Sequence, residues 1–442
     1  MRLKYFGTAG IRGFTNREIT VALARRVGLA LGALYGEVLI SRDTRKGSRM
    51  VKDALASGIA EAGGTAYDID VATLPMTASA AVDMGVHAVA VTGSHTPPEI
   101  EGIVVIDEGG ADVYWDESRR IEELIDSPPS PKGGGRIVPL PPPLDAYLSR
   151  VEGFIGEPPS GFSVAADVAE GSLSRYLQTI MNYFDVGVRD VESSGTGLPW
   201  RHPEPRGDRA GILEAVMQGA DVGILTDMDA DRVVFVHRDG PLDENSVGAF
   251  FASRYARRGS TIVTPINSSG TIVEAASRLG LRIVWCRIGP PEIAHASRVN
   301  GADFAYEETG KYMFVRDGFL WGDAVLSTLY MLKVTGGDLG MVHSEFPPRA
   351  QVRRAVPCPR ERMPSVMARV GEILRAEMGE NQILDVDGYK VVFPDASWLL
   401  IRPSGTEPVI RVYSEGPDEG RAGELSELGM RILERAMNEN PL

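Results

Sequence analysis

The sequence predicts an α/β protein built from three similar domains with mixed, largely parallel sheets, followed by a smaller α+β domain. Three observations carry this. The first is length, since 442 residues exceed what one hydrophobic core organises. The second is a threefold recurrence of an apolar strand running into a small-polar turn and a helix, at Val38 to Ser48, Val164 to Ser172 and Ile262 to Thr271. A further strand follows each time, at Thr65 to Val71, Asp185 to Val191 and Leu281 to Ile288. Each unit then closes with a glycine, a third strand and a loop, over Gly85 to Ser94, Gly219 to Asp229 and Gly301 to Gly310. Strand and helix alternating in this order imply parallel pairing. The third observation is a change of pattern near residue 350, after which a helix, three strands and a final helix follow one another.

Taken in order, the chain begins with Phe6-Gly7-Thr8-Ala9-Gly10-Ile11-Arg12-Gly13, whose glycines allow close backbone approach and whose Arg12 offers a charged fork for phosphate. Ile19, Leu23, Val27, Ala30, Leu31 and Leu34 recur at helical spacing. Val86 to Val91 reads as a buried parallel strand that delivers Thr92-Gly93-Ser94-His95-Thr96-Pro97-Pro98-Glu99. Ligands of open α/β sheets bind at strand C-terminal ends, and the two prolines fix the backbone around Ser94. Ser127 to Pro143, with seven prolines and a Gly triplet, reads as a connector. A second proline-rich loop, Pro199 to Arg206, lies inside the second domain. Beyond residue 350 a helix carries Val366, Val370, Ile373 and Leu374. Strands at Gly388 to Phe393, Trp398 to Ile401 and Val409 to Ser414, then a helix with Leu425, Ile432, Leu433 and Ala436, complete the small domain. The expected domains are 1–140, 141–250, 251–350 and 351–442.

Composition narrows the function. A net charge of −14 opposes a nucleic-acid surface or an anionic membrane as partner. No apolar stretch approaches membrane-spanning length and no signal-peptide pattern opens the chain, so a cytoplasmic protein is expected. Cys286 and Cys358 are too few for a disulfide framework or a cysteine metal cluster.

Three further loops hold chemistry. Asp227-Met228-Asp229-Ala230-Asp231-Arg232 follows the strand Val222 to Leu225, and alternating aspartates at a strand exit present three hard oxygen ligands suited to Mg²⁺. Carboxylates two residues apart repel one another unless a cation joins them. The loop is not an EF-hand, because Arg232 and Arg238 stand where that loop needs glycine and glutamate. Glu307-Glu308-Thr309-Gly310-Lys311 sets carboxylates and a hydroxyl where they accept from or bond to sugar hydroxyls, with Lys311 able to hold phosphate or carry a proton. Arg402-Pro403-Ser404-Gly405-Thr406-Glu407-Pro408, with Arg411 beyond, reads as a phosphate clamp of backbone N–H groups, hydroxyls and arginine forks.

In their order along nearly the whole chain, these motifs resemble the α-D-phosphohexomutase family, which includes phosphomannomutase, phosphoglucomutase and phosphoglucosamine mutase. The resemblance implies four domains around a central cleft and a phosphorylated Ser94. It implies Mg²⁺ held by Ser94, Asp227, Asp229 and Asp231. The implied reaction interconverts hexose 1-phosphate and hexose 6-phosphate through a hexose 1,6-bisphosphate that also serves as activator. Arg12, Arg232 and His95 would surround the phosphoserine; Glu307 and Thr309 would face the sugar; Arg402, Ser404, Gly405, Thr406 and Arg411 would hold the distal phosphate. A phosphoglucosamine mutase is the alternative, since Ser404-Gly405-Thr406 is similar to the phosphate loop of those enzymes. A non-catalytic phosphosugar binder and a metal-dependent phosphatase are further readings, the latter opposed by Ala230-Asp231 where Gly-Thr is usual.

The chain departs from the resembled pattern at three places. Thr96 and Val104 replace an asparagine and a lysine often taken as general acid or base, Lys311 replaces a histidine, and Pro290-Pro291 stand where a polar side chain is usual. Lys311 is therefore expected either to take over the missing lysine's proton transfer, with a lowered pKa, or to bind phosphate alone, with His95 the other candidate. Hexose phosphates are the expected partners; the sequence is silent on oligomeric state.

Overall fold

The computed structural model describes residues 3–205, 210–316, 319–405 and 407–439; Arg206 and Thr406 lie outside them. Two compact units result. One comprises Met1–Leu242, Gly289–His295 and Thr309–Met341, the other Asp243–Ile288, Ala296–Glu308 and Val342–Leu442.

The first unit holds two mixed sheets. One runs in the order Phe6–Gly7, Gly10–Phe14, Ile100–Ile106, His87–Val91, Glu37–Arg42, Thr65–Val71, Arg136–Pro139. Its half from His87–Val91 onward is parallel, as expected from the recurring strand–helix units. Its other half is antiparallel. The stretch read as a connector proves to contain the edge strand Arg136–Pro139, because Ile137 and Val138 are β-branched and a proline is tolerated where no further strand needs its N–H. In the second sheet Ser163–Asp167 pairs in parallel with Gly187–Glu192 and Val222–Thr226, and Val233–His237 lies antiparallel beyond.

The antiparallel strands Ile100–Ile106 and Val233–His237 follow directly on the serine and aspartate loops. The repeat pattern does not predict them. Their consequence is that both ends of each loop are tied into a sheet, so neither loop is free to swing.

The second unit carries Thr261–Pro265 between parallel neighbours Arg282–Cys286 and Ala302–Glu307. It also carries the antiparallel C-terminal sheet, Ala350–Pro357, Val409–Gly416, Trp398–Pro403, Tyr389–Val392, Gln382–Leu384. Helices Met363–Met378 and Glu419–Asn438 close one face of that sheet over a core that includes Val370, Leu374, Leu399, Val412 and Leu433. Asp418 caps the last helix by accepting from Arg421 N. Among the described residues no helix is long and apolar enough to cross a membrane.

Under the first sheet, helix Val21–Tyr35 begins at the cap Thr20 and packs on helix Ser48–Glu61. The contact is close because Gly28, Gly32 and Gly58 line it; a Cβ at Gly58 would stand 2.8 Å from Leu29 N and closer still to Arg25 O. Gly58→Ala should therefore lower the thermal midpoint of the protein. Overpacking costs about 1–3 kcal/mol, and with backbone atoms on the far side the upper end applies, exceeding the helix-propensity gain of about 1 kcal/mol. Thermal unfolding followed by circular dichroism checks this; a raised midpoint would show that the helices separate easily.

Candidate active site

Ser94 and the aspartate loop meet at the C-terminal ends of His87–Val91 and Val222–Thr226. Ser94 Oγ donates to Asp227 Oδ2 at 2.7 Å, and both residues are buried. Thr92, not singled out in the sequence, joins the two loops. Its hydroxyl donates to Asp229 Oδ2 at 2.9 Å and accepts from Ser94 N at 2.8 Å. A buried threonine two residues before a serine carries no signal unless the partner loop is known.

Asp227, Asp229 and Asp231 are all buried, and one carboxylate oxygen of each lies within 4.8 Å of the others. The loop is held from below. Ser172 donates from its N and its hydroxyl to Met228 O at 2.7 and 3.0 Å, and Leu74 N donates to Asp229 O at 2.9 Å. Oδ1 of Asp229 and Oδ1 of Asp231 are buried and accept no hydrogen bond among the described residues. Hard, unshared oxygens converging on one point are what a small divalent cation requires. The electrostatics agree. Burial, then the charge of Asp227, pushes Asp229 well above the ordinary carboxylate range, and burial and Asp231 raise Asp227. Asp231 is held below that range, since Lys311, Arg232 and Arg12 outweigh its burial.

Lys311 Nζ donates to Asp231 Oδ2 at 2.8 Å, lies 4.8 Å from the ring centre of Trp321, and is buried. The expectation of a lowered pKa is corrected here. Burial does press the amine down, but the charges of Asp231 and Asp112 win and raise it above its ordinary value. Lys311 is thus a protonated partner of the acid cluster. Val104 is buried in its strand against the backbone of Gly10, where a Cβ would meet Ile103 O at 2.5 Å. Gly10 therefore serves strand packing, besides any approach to a ligand.

His95 Nδ1 lies 3.3 Å from Ser94 Oγ. Burial, then Arg232 and Arg12, hold the imidazole well below its ordinary pKa, so it is neutral. On its other side, His95 Nε2 lies 3.8 Å from Glu204 Oε2, which also takes Arg232 Nη1 at 3.4 Å. Glu204 comes from the second proline-rich loop, which Arg201 anchors by bonding Asp167 at 2.7 and 3.0 Å and Thr226 O at 2.8 Å. Only the Arg-His-Pro-Glu composition of that loop hinted at chemistry. Arg12, half-buried on Gly10–Phe14, keeps an Nε without a hydrogen bond among the described residues.

The structure thus gathers Ser94, His95, Arg12, Arg232, Lys311 and the three aspartates within the first unit, to which Thr309 also belongs. Glu307, Arg402, Ser404, Gly405 and Arg411 belong to the second. There Glu308 accepts from Asn267 at 2.7 Å and Arg353 at 3.0 Å. Arg402 and Arg411 face each other across paired strands. Arg402 Nη2 is held by Asp387 at 2.8 Å, while Arg411 reaches Glu407 at 2.6 Å. Ser404 is buried and its hydroxyl accepts from Glu407 N at 3.2 Å.

Residues 3–131 fit the family model for phosphoglucomutase/phosphomannomutase α/β/α domain I, 243–346 that for domain III, and 354–428 that for the C-terminal domain. The chain is 32% identical over 451 residues to a phosphopentomutase of Thermococcus kodakarensis, with 99% of each covered. It belongs to the phosphoglucomutase/phosphomannomutase family. A phosphoglucomutase/phosphomannomutase of the same organism is 31% identical over 98% of this chain and 99% of its own. The fold of this mutase family member matches the crystal structure of a phosphoglucomutase/phosphomannomutase family protein from Burkholderia thailandensis. That likeness has a TM-score of 0.83, 20% identity and 97% of each chain covered.

The raised Asp229 yields a pH-dependent prediction. Its native pKa lies above the unfolded value near 4. The stability it contributes is therefore complete below about pH 4 and is lost as pH rises through the native pKa. In chelator, Asp229→Asn should melt above wild type, by a margin that opens as pH is raised from about 4 to 8, and an added divalent cation should narrow it. A margin of equal size at both ends of that range would remove repulsion as its cause.

Proposed function

We propose that this chain moves a phosphoryl group between O1 and O6 of a hexose phosphate, with Ser94 as the group that carries it. The observation that bears the proposal is the Ser94 hydroxyl set 2.7 Å from a carboxylate of the buried aspartate cluster. Asp227, Asp229, Asp231 and the phosphorylated Ser94 would hold Mg²⁺, which supplies charge neutralisation to the transferring group when bound. Segments 1–140, 141–250, 251–350 and 351–442 would serve as the phosphoserine, metal, sugar and phosphate-binding parts.

In the forward half-reaction a sugar hydroxyl loses its proton and attacks phosphorus, the P–Oγ bond of Ser94 breaks, and a hexose 1,6-bisphosphate forms. After the intermediate turns over, the second half-reaction returns the other phosphoryl group to Ser94. Arg12 and Arg232 offer fixed positive charge to the phosphoryl oxygens, and positioned charge is the main contribution to such transfers. His95, neutral and with Nδ1 3.3 Å from Ser94 Oγ, is a candidate to handle the proton. Glu307 and Thr309 would meet sugar hydroxyls, and Arg402, Ser404, Gly405, Thr406 and Arg411 the phosphate that is not reacting.

Glucosamine phosphate is the second sugar reading, because of Ser404-Gly405-Thr406. The test is turnover of mannose, glucose and glucosamine 1-phosphates, with ribose 1-phosphate added because one relative is named a phosphopentomutase. Intact-mass analysis of the active protein should find one phosphoryl group, located by peptide mapping on Ser94. Ser94→Ala should abolish turnover, and undiminished activity in that variant would end the proposal.

Arg411 gives a separate expectation. Loss of a charge-assisted bond to a ligand costs about 1.5–3 kcal/mol. Arg411→Ala should therefore raise KM by about 10–150-fold while leaving Ser94 open to phosphorylation by a small bisphosphate. An unchanged KM moves the distal phosphate elsewhere.

A further inference from the structure

We infer that Arg45 is the positioning residue of the serine loop: its buried guanidinium fixes the backbone of Ser94 and thereby the aim of the Ser94 hydroxyl. The inference rests on the proposal that Ser94 carries the phosphoryl group. Arg45 lies in the turn between strand Glu37–Arg42 and helix Ser48–Glu61 and is fully buried. One edge of its fork is set by Asp43, whose carboxylate pairs with Arg45 Nη1 and accepts from Arg45 N at 2.9 Å. Ser48 Oγ stiffens the turn by donating to Asp43 O at 3.0 Å and Arg45 O at 2.7 Å. The other arm, Nη2, donates to Ser94 O at 2.9 Å and to Thr96 O at 2.6 Å.

Those two carbonyls bracket the bend of the loop. Ser94 has φ +53°, a left-handed conformation that a non-glycine residue holds only when its surroundings impose it. On the N-terminal side the imposing bond is Ser94 N to Thr92 Oγ1, already described. On the C-terminal side it is Arg45. Gly93 lies close over it: a Cβ there would meet Ile100 O, and Arg45 Cζ at 2.7 Å. The guanidinium therefore packs directly against the backbone of the loop. A lysine cannot copy this arrangement. Its single ammonium lacks the planar fork that bonds one carboxylate and two carbonyls at once.

Being buried under the loop, Arg45 acts on the reaction through the backbone of Ser94 and through its charge, which Arg45→Lys preserves. Misplacing a reacting group by about 1 Å can cost about 10²-fold in rate. Arg45→Lys, which keeps the charge, should lower kcat by about 10–10²-fold while KM for the sugar phosphate stays within about twofold. The rate at which glucose 1,6-bisphosphate phosphorylates dephosphorylated Ser94, followed by quenched-flow mass spectrometry and normalised to the fraction of molecules that react, should fall by the same factor. A merely structural residue would instead lower the melting midpoint and the reactive fraction and leave the normalised rate unchanged; that result overturns the inference. So does a wild-type kcat. Asp43→Asn is the companion variant if Arg45→Lys does not fold. It loosens Arg45 without altering any side-chain length, and the same split of kcat from KM, smaller in size, is expected; a wild-type kcat again overturns the inference. The wild-type protein separates the two proposals. If it neither turns over a sugar phosphate nor accepts a phosphoryl group on Ser94, the functional proposal falls and this one with it; if it does both, the variants judge Arg45 alone.

Discussion

Everything around the site answers one constraint, the burial of three aspartates within reach of a single point. Two unit charges 4 Å apart at an effective dielectric of about 20 repel by roughly 4 kcal/mol, and repulsion of this kind, with burial, holds Asp229 well above the ordinary carboxylate range. The fold accepts this only because the aspartates sit at a strand exit that cannot relax. Val222–Thr226 is fully buried between neighbours on both sides, the next strand begins at Val233, and Met228 is pinned from beneath by Ser172. The remaining relief is chemical. Lys311 and the arginines offset Asp231, the hydroxyls of Ser94 and Thr92 bond Asp227 and Asp229, and what is left is a set of unshared oxygens.

Backbone strain is distributed in the same way. Ser94 and Ala230, each in the left-handed region, lie in the two loops that meet, and Ala169 and Glu170 repeat the conformation in the loop that follows Ser163–Asp167. Glycine would adopt these angles more easily, but at Ser94 the hydroxyl is indispensable to the proposed chemistry. Strain of about 1–3 kcal/mol at such a residue persists only under contacts that leave it no alternative. Thr92 from one side and Arg45 from the other provide those contacts, and both are buried where solvent cannot compete for them.

Much of this was legible in the sequence because it repeats. A strand that ends in a chemically unusual loop means little once and a great deal three times, and the strands Thr65–Val71, Val222–Thr226 and Ala302–Glu307 lie where their patterns put them. The aspartate spacing pointed to a candidate cation site for a similarly local reason, that carboxylates so close are otherwise unfavourable, and the structure brings the three together. What escaped was whatever depends on a distant partner. Arg136–Pro139 hides among prolines because an edge strand tolerates them. Thr92 and Glu204 sit in loops that the sequence marks, but their roles depend on partners in other loops, and nothing in the neighbourhood of Arg45 distinguishes it from a residue of an ordinary turn. The pKa of Lys311 escaped for the same reason: its sign depends on the closeness of Asp231 and Asp112, which only the fold supplies.

Charge balance then explains why Lys311 is poorly placed to replace the lysine absent at Val104. Among the charged groups tied to this site, Asp112, Glu204 and the three aspartates are acidic, and Arg12, Arg232 and Lys311 are basic. The acids crowd one another, as the raised Asp227 and Asp229 show, and a cation among them would offset that repulsion. Burial and the charge of Arg232 favour loss of the Lys311 proton, but Asp231, which it bonds at 2.8 Å, and Asp112 outweigh them. A proton acceptor needs both a neutral resting form and a cation that its surroundings accept. His95 has the neutral form and its Nδ1 is 3.3 Å from the Ser94 hydroxyl, but burial and the arginines disfavour its cation, so it takes a proton only where that field is weakened. With a phosphoryl group on Ser94 that local positive field is partly cancelled, which eases the proton onto His95 at the stage when a sugar hydroxyl must give it up. The valine at position 104 is thus compatible with catalysis if the work of the absent lysine is divided, charge balance going to Lys311 and proton handling to His95.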